Sequence, residues 1–268
     1  MDMPRLGQGT WNMGDSAGTR QAELAALREG IALGMTLIDT AEMYRDGRSE
    51  SLVGEAIAGA REQVFLVSKV LPSNASRKGV VQSCEASLKR LQTDYVDLYL
   101  LHWSGSYPLE DTVRGFEDLL AAGKIRSWGV SNLDLSEMKQ LVALAGGRAC
   151  AANQVLYNLA RRGIEFDLLP WCRKRTIPIM AYTPIEQGRV LGNRALAGVA
   201  TRLGATPAQV ALAWVLRQDG VVTIPKAGSV GHVRENRRAL DLTLDAAALK
   251  ALDAAFPPPR KARPLEML

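Results

Sequence analysis

Residues 64–102, VFLVSKVLPSNASRKGVVQSCEASLKRLQTDYVDLYLLH, decide the fold. Two apolar runs of β-type residues, Val64–Lys69 and Val96–Leu101, stand at the ends of this stretch. Between them, over Ser76–Leu91, apolar residues recur every three or four positions and so fall on one helical face. Two apolar strands joined by a helix are typical of a parallel βαβ unit, in which both faces of the sheet are covered.

The same alternation runs along nearly the whole chain. Helices are also predicted over Leu109–Ala122, which ends at Gly123, and from Pro207 through Arg217. Further strands are predicted at Leu6–Thr10, Thr36–Asp39, Ile125–Val130, Cys150–Gln154, Ile177–Tyr182 and Val221–Pro225. Eight strands in 268 residues favour a closed (β/α)8 TIM barrel over an open doubly wound sheet. A dinucleotide-binding Rossmann fold is rejected, because residues 6–11 carry two of its three glycines and no helical pattern begins there.

Composition limits the class of protein. The chain is 47% hydrophobic and 23% charged with a formal net charge of +5, which is typical of a globular protein. The charges are interspersed rather than gathered in a basic block, so nucleic acid is not an expected partner. No apolar stretch reaches the roughly 20 residues of a membrane span, and the three cysteines lack metal-ligating spacing. We expect a cytoplasmic monomer with no metal site and no membrane contact.

The chain is expected to form a single domain. Residues 1–256 are assigned to the barrel, since no Gly/Ser-rich or Pro-rich linker interrupts them. Residues 257–268 open with three consecutive prolines, which cannot continue a helix, and basic residues follow. We predict a tail that lies over the surface or is loose in solvent.

Polar side chains collect where the predicted strands end, which is where barrel enzymes place their sites. Asp39 and Lys69 end their runs, and His102 follows the next one. Later runs end in, or are followed by, Ser131, Asn132, Gln154, Tyr182 and Lys226. Each of these residues alone has an ordinary explanation, such as a loop contact or a solvated strand end. Their convergence at one rim favours an active site, because charged groups near a core require partners.

Tyr44 lies on the loop after Asp39 and can reach over Asp39 and Lys69. A phenol has an ordinary pKa near 10, and a neighbouring ammonium lowers it. Asp39 would keep the Lys69 ammonium charged and in place. These three residues predict a tuned proton donor, and His102 is predicted to polarise a carbonyl or to share the proton. The set suits protonation of the oxyanion that forms when hydride reaches a carbonyl carbon.

Several motifs resemble, in order, the signatures of the aldo-keto reductase family. They are Ile38–Tyr44 (IDTAEMY), Val67–Lys69 (VSK), Asp94–Trp103 (DYVDLYLLHW), Ile125–Asn132 (IRSWGVSN) and Ile224–Lys226 (IPK). The similarity covers nearly the whole chain and is nearest to bacterial reductases of methylglyoxal and diketogluconate. It implies a (β/α)8 barrel that reduces small carbonyl compounds with NADPH, or with NADH, and uses Tyr44 as the proton donor.

The resemblance also implies a role for each site residue. Lys69, held by Asp39, tunes Tyr44, while His102 orients the carbonyl oxygen. Ser131, Asn132, Gln154 and Tyr182 contact the nicotinamide, Thr183, Pro184, Ile185, Gln187 and Gly188 follow the pyrophosphate, and Lys226, Ala227, His232, Glu235 and Asn236 contact the adenosine end. Trp11, Met43 and Trp103 line the substrate pocket.

The adenosine end departs from the family pattern. Ala227 stands where the family usually has Ser, and His232 stands where it has an arginine that grips the phosphate. Alanine cannot hydrogen-bond a phosphate, and a neutral imidazole lacks the bidentate fork of arginine. We therefore expect weaker discrimination between NADPH and NADH, with Arg234, Arg237 or Arg238 as candidates to compensate.

The ends and loops of the barrel depart from the pattern as well. The chain begins almost at the first strand, so we expect the N-terminal hairpin that plugs the barrel to be missing. Short loops after His102 and Tyr182 predict an open rim that accepts small aldehydes and ketoaldehydes. A cofactor-binding sensor with little turnover is the alternative function. The intact set of Asp39, Tyr44, Lys69 and His102 favours the enzyme, because a pure binder has no need of a tuned phenol.

Overall fold

The computed structural model describes residues 3–268. Its eight strands run parallel, and each pairs with the next along the chain. They are β1 (Gln8–Gly9), β2 (Leu37–Asp39), β3 (Phe65–Val70), β4 (Leu98–Leu101), β5 (Trp128–Ser131), β6 (Asn153–Leu156), β7 (Ile179–Tyr182) and β8 (Val221–Thr223). The two edges of the sheet meet, since the Gly7 N–H donates to the Thr223 carbonyl at 2.8 Å and Gly9 to Pro225 at 3.0 Å. The prediction of a (β/α)8 barrel is confirmed.

Ten α-helices of the described chain pack around this barrel. They are α1 (Ala17–Ala32), α2 (Arg48–Ile57), α3 (Arg77–Leu91), α4 (Leu109–Ala121), α5 (Leu135–Ala143), α6 (Leu168–Lys174), α7 (Arg194–Arg202), α8 (Pro207–Leu216), α9 (Val230–Arg237) and α10 (Ala246–Ala255). The helix predicted over Ser76–Leu91 is α3, which starts one residue later because Ser76 caps it: the Ser76 hydroxyl oxygen accepts from the Gly79 N–H at 3.1 Å. Beyond α4, Gly123 takes a φ of +68°, which ends a helix at little cost. Within residues 3–268, none of these helices has the length and apolar character to cross a bilayer.

Two strands lie later in the chain than the sequence predicts. β5 begins at Trp128, because Ile125 makes only an isolated bridge. β6 covers Asn153–Leu156 rather than Cys150–Gln154, because a short 3-10 helix ends immediately before Cys150. The shift matters for the site, since Gln154 now lies inside a strand instead of at its end.

The core has two layers, one inside the barrel and one between the barrel and the helices. The inner layer contains Met3, Leu37, Val67, Leu98, Leu100, Ala152, Met180, Val222 and Ile224. Intervening strand residues point outward, and Trp128, for example, stacks on Phe116 of α4 at 5.3 Å between ring centroids. Side chains alternate between the faces of a strand with period two. The residue two positions after an inner apolar residue therefore also points into the barrel. It lies one layer nearer the carboxyl ends of the strands.

The two ends of the described chain contact the barrel. Met3 precedes β1 and packs in the inner layer, and no hairpin precedes β1 within residues 3–268. At the other end, Leu265 packs against the outer layer and Glu266 pairs with Arg161 at 2.6 Å. Part of the segment predicted as a tail thus lies along the barrel.

Candidate active site

The alternation along the strands brings the predicted polar residues to one mouth. Each of five follows an inner apolar residue by two positions: Leu37 precedes Asp39, Val67 precedes Lys69, Leu100 precedes His102, Ala152 precedes Gln154, and Met180 precedes Tyr182. Because all strands are parallel, these side chains form the next inner layer at the carboxyl ends.

Lys69 is the centre of this layer. Its ammonium donates to Asp39 Oδ2 at 2.8 Å, to the Thr40 carbonyl at 2.9 Å and to Tyr44 Oη at 3.0 Å. The side chain is fully buried, and these three bonds use all three of its N–H donors. The ammonium is therefore fixed, with one of its protons directed at the phenol.

The environment keeps the proton on Tyr44 and the charge on Lys69. Burial raises the pKa of Tyr44 above its ordinary value of 10, and the Lys69 charge offsets only part of that rise. Burial alone would lower the pKa of Lys69, but Asp39 and Tyr44 together raise it above 10.5. Lys69 lowers the pKa of Tyr44, as expected, but burial and the Asp39 charge outweigh this effect, so the pKa lies above 10. At neutral pH the phenol is protonated.

His102 lies beside the phenol as a neutral imidazole. Its ring meets the Tyr44 ring edge-on at 5.8 Å between centroids and packs on Trp103 at 4.8 Å. Burial lowers the pKa of His102 to about 2, and the nearby Lys69 charge acts in the same direction. Within residues 3–268, His102 Nδ1 is buried without a hydrogen-bond partner. A buried polar atom of this kind is one that a bound ligand or water can satisfy.

A second set of hydrogen bonds links residues on or just after β5, β6 and β7 to Asp39 on β2 and to His102 after β4. Gln154 Nε2 donates to Asp39 Oδ1 at 2.7 Å, so the Asp39 carboxylate holds both Lys69 and Gln154. Asn132 donates to the His102 carbonyl at 3.1 Å and accepts from the Tyr182 hydroxyl at 3.0 Å. The residues predicted for proton transfer and those predicted for the nicotinamide therefore form one connected network.

The hydroxyl of Ser131 completes this part of the mouth. It donates to the Gln154 carbonyl at 2.9 Å and accepts from the Asn132 amide at 3.1 Å. Nearby, burial raises the pKa of Tyr182 to about 12, so its hydroxyl stays protonated. The polar atoms on this side are thus held by one another, with fixed orientations.

The loop after β7 has an unusual backbone. Thr183, Glu186 and Gln187 have φ values between +51° and +54°, and Gly188 follows at +88°. Left-handed residues other than glycine cost roughly 1–2 kcal/mol each, so the loop needs contacts that hold it. Pro184 is buried, and Ile185 packs partly on the core.

Three residues that hold this loop escaped the sequence analysis: Asn158, Arg161 and Glu186. Glu186 is only 4% exposed and accepts from Asn158 Nδ2 at 2.7 Å and from Arg161 Nε at 3.1 Å. A carboxylate repels phosphate, so Glu186 in a loop predicted to follow the pyrophosphate was one sign in the sequence of a different role. The adjacent arginines after β6, Arg161 and Arg162, were a second sign, since they could pair with it.

The adenosine-end residues gather at β8 and α9. Lys226 is exposed at the end of the barrel, Ala227 is buried, and His232 is exposed in the first turn of α9. Asn236 is buried, and Glu235 accepts from the Thr206 hydroxyl at 2.6 Å.

Two of the three arginines expected to compensate at this end are engaged elsewhere. Arg234 donates to Glu29 at 2.8 Å, and Arg237 pairs with Asp241 at 3.0 Å. Arg238 is exposed and stays a candidate to support Lys226.

Trp11 and Met43, both predicted to contact the substrate, lie beside Tyr44. Together with Asn12, Tyr44, Arg45, Asp46 and Arg48 they line an open cavity of about 280 Å³. Trp11 is 49% exposed and Met43 38% exposed, so both present apolar surface that a ligand can cover. Trp103, the third residue predicted for the substrate pocket, packs against the His102 ring instead of lining this cavity.

A closed parallel barrel whose mouth holds a buried lysine–carboxylate pair, a protonated phenol and a neutral imidazole defines a barrel oxidoreductase. Residues 5–256 match the Aldo/keto reductase family, and the chain belongs to that family. It is 54% identical over its full length to methylglyoxal reductase YeaE of Escherichia coli K12, covering 96% of that protein. It is also 33% identical to glyoxal reductase of Bacillus subtilis, with 95% and 89% of the two chains covered. An aldo/keto reductase from Klebsiella pneumoniae, solved with NADP and acetate, superposes with a TM-score of 0.98 at 51% identity, covering 99% and 96% of the chains.

Proposed function

We propose that this protein reduces small aldehydes and ketoaldehydes to alcohols with NADPH as the reductant. The observation that carries the proposal is the Lys69 ammonium, fully buried and bonded to both Asp39 and Tyr44. A fixed cation against a phenol stabilises the phenolate that proton donation would leave behind. A protein that only bound the nucleotide would gain nothing from this arrangement.

In this proposal Tyr44 and His102 act on the carbonyl oxygen. The neutral imidazole of His102 orients the oxygen, and the Tyr44 hydroxyl gives it the proton as the alcohol forms. The phenolate that remains is stabilised by Lys69, which Asp39 keeps charged. When bound, NADPH supplies the hydride.

The residues at the mouth fit NADPH. The side-chain NH2 group of Gln154 donates to Asp39, which leaves the side-chain oxygen of Gln154 to accept from the nicotinamide carboxamide. Ser131 and Asn132 lie beside it. Tyr182 is proposed to stack on the nicotinamide, and the loop of Thr183, Pro184, Ile185, Gln187 and Gly188 to follow the pyrophosphate.

At the adenosine end, Lys226 is proposed to bind the 2′-phosphate. Its ammonium lies 3.1 Å from where a Cβ on Gly228 would stand, so a bare glycine gives it room. Ala227 and His232 are proposed to lie beside the phosphate, and Glu235 and Asn236 to hold the adenine.

Small substrates suit the open cavity beside Tyr44, with Trp11 and Met43 as its apolar walls. Trp103 is proposed to contact the substrate from its position beside His102. The related proteins named for methylglyoxal and glyoxal reduction support this substrate class. We further propose a cytoplasmic monomer. Its three cysteines, Cys84, Cys150 and Cys172, are all free and buried, in keeping with a reducing compartment. Size-exclusion chromatography with light scattering tests the monomer.

The first experiment measures oxidation of NADPH and of NADH with methylglyoxal and with a simple aromatic aldehyde. Turnover that is faster with NADPH, and that is lost in Tyr44→Phe, is the expected result. Tight NADPH binding without turnover on either carbonyl would contradict the reductase and favour a sensor.

The kcat/KM of the wild type is expected to show no break between pH 5 and 8 that depends on His102. Because its pKa is lowered to about 2, the imidazole is neutral throughout this range and would gain a proton only in strong acid. The measurement is a pH profile of the wild type beside His102→Gln. A break near pH 6.5 that disappears in the variant would show that His102 titrates in the working range.

His232→Arg is expected to tighten NADPH binding about tenfold or more while NADH binding changes little. A hydrogen bond to a charged group contributes roughly 1.5–3 kcal/mol, and only NADPH carries the 2′-phosphate. Dissociation constants for both cofactors, measured by fluorescence, test this. His232→Gln, which stays neutral, is the matched control. Equal tightening of both cofactors would place the residue away from the phosphate.

A further inference from the structure

The loop after β7 is tied down on one side by Asn158. Its amide donates to the Thr183 carbonyl at 2.9 Å and to Glu186 at 2.7 Å. Its side-chain oxygen accepts the backbone N–H groups of Ala160 and Arg161 at 2.9 and 3.0 Å. One buried side chain therefore fixes the left-handed loop and the turn that carries Arg161.

Arg161 joins this loop to the last residues of the chain. One guanidinium nitrogen lies 3.0 Å from Glu186 on the loop, and another lies 2.6 Å from Glu266. Glu186 is buried, whereas the side chains of Arg161 and Glu266 are 35% and 41% exposed. The link from the loop to the guanidinium is thus protected from water, and the link onward to Glu266 is open to solvent and easier to break.

We name residues 263–268 the C-terminal strap. Leu265 packs on the outer core, and Glu266 beside it pairs with Arg161. The Leu268 backbone lowers the pKa of Tyr182, against the larger effect of burial. The strap therefore ends near the residue proposed to stack on the nicotinamide, while Glu266 connects it to the loop proposed to follow the pyrophosphate.

We propose that Arg161 is a positioning residue that couples docking of the C-terminal strap to binding of the cofactor. The inference rests on the proposed function, since it takes the loop as the cofactor loop. One carboxylate oxygen of buried Glu186 pairs with the Arg161 guanidinium. Another nitrogen of that guanidinium is then free to pair with Glu266. A cofactor that stabilises the loop stabilises the docked strap, and by linkage the docked strap strengthens cofactor binding.

The coupling predicts an effect at a distance. In the wild type, NADPH should slow amide hydrogen exchange in the strap peptide. In Glu266→Gln that protection should be lost, and NADPH should bind about fivefold more weakly, at the lower end of typical allosteric couplings. Arg161→Met also removes a partner of buried Glu186, so it should weaken NADPH binding at least as much. Adding Glu266→Gln to it should cause little further loss, because the link to Glu266 is already gone. In these variants the KM for NADPH should rise while kcat stays unchanged, since the strap contacts no reacting group.

Asp253→Asn is the matched control. Asp253 also pairs with an arginine near the C-terminus, Arg162 at 2.7 Å, but Arg162 does not contact Glu186. This control should keep wild-type NADPH affinity and strap protection. A chain that stops after Ala262 should resemble Glu266→Gln, which tests the strap without relying on one ion pair.

Each result decides between the proposals. Strap exchange that NADPH leaves unchanged in the wild type, or a truncated chain with wild-type NADPH affinity, would overturn the coupling while the reductase stood. A wild-type protein that fails to bind NADPH would overturn the proposed function and the coupling with it. Additive losses in the double variant would show that Arg161 and Glu266 act separately, which also contradicts the coupling.

Discussion

Tyr44→Phe is expected to lower kcat for carbonyl reduction by about 10²- to 10⁴-fold, the usual contribution of a positioned general acid. The variant loses only the hydroxyl. The Lys69 ammonium lies 4.6 Å from the centroid of the Tyr44 ring, so the packing of that ring is retained in Phe. Cofactor affinity should stay near the wild-type value, because Tyr44 shares no hydrogen bond with Ser131, Asn132 or Gln154. Steady-state turnover and NADPH titration measure the two quantities separately.

Tyr107→Phe is the matched control for this experiment. Tyr107 is 40% exposed on the loop after β4, and losing its hydroxyl should leave kcat unchanged. A Tyr44→Phe variant with wild-type turnover would place the proton donor elsewhere. A large loss of NADPH affinity in Tyr44→Phe would instead make the phenol part of the cofactor site.

The fold was predictable because the inner and outer faces of the strands differ in chemistry. Val67 and Lys69, or Met180 and Tyr182, show an apolar residue followed two positions later by a polar one. That spacing places both on one face of a strand, and the parallel order then brings all such polar residues to one mouth. Strand limits were less predictable, because the pairing of β6 with its neighbours, rather than its local composition, decides where it begins.

The proton affinity of Tyr44 could not be predicted from the sequence. The partners Lys69 and Asp39 were visible in the sequence: Lys69 lowers the pKa of Tyr44, and Asp39 keeps Lys69 charged, both as predicted, while Asp39 also raises the pKa of Tyr44. The depth at which the barrel buries the phenol was not visible, and burial is the larger effect on its pKa. Similarly, the contact between Gln154 and Asp39 depends on barrel closure, since the two residues are far apart in the chain.

Lys69→Met is expected to lower the free energy of unfolding by about 3–5 kcal/mol, the usual cost of removing one partner from a buried ion pair. Methionine fills similar volume but leaves the Asp39 carboxylate, 2% exposed, without its cation. Tyr44 also loses the ammonium that would stabilise its phenolate, so turnover should fall sharply. Urea unfolding measures the first effect and NADPH oxidation the second.

Asp39→Asn combined with Lys69→Met separates stability from chemistry. Replacing a buried ion pair by neutral groups of similar size is often nearly neutral, and an asparagine oxygen can still accept from Gln154. The double variant should therefore regain most of the stability lost in Lys69→Met, with NADPH binding retained, while turnover stays low. A double variant that recovers turnover would show that the ammonium is structural only. One whose unfolding free energy falls by the sum of the two single changes would show that Asp39 and Lys69 do not stabilise the fold as a pair.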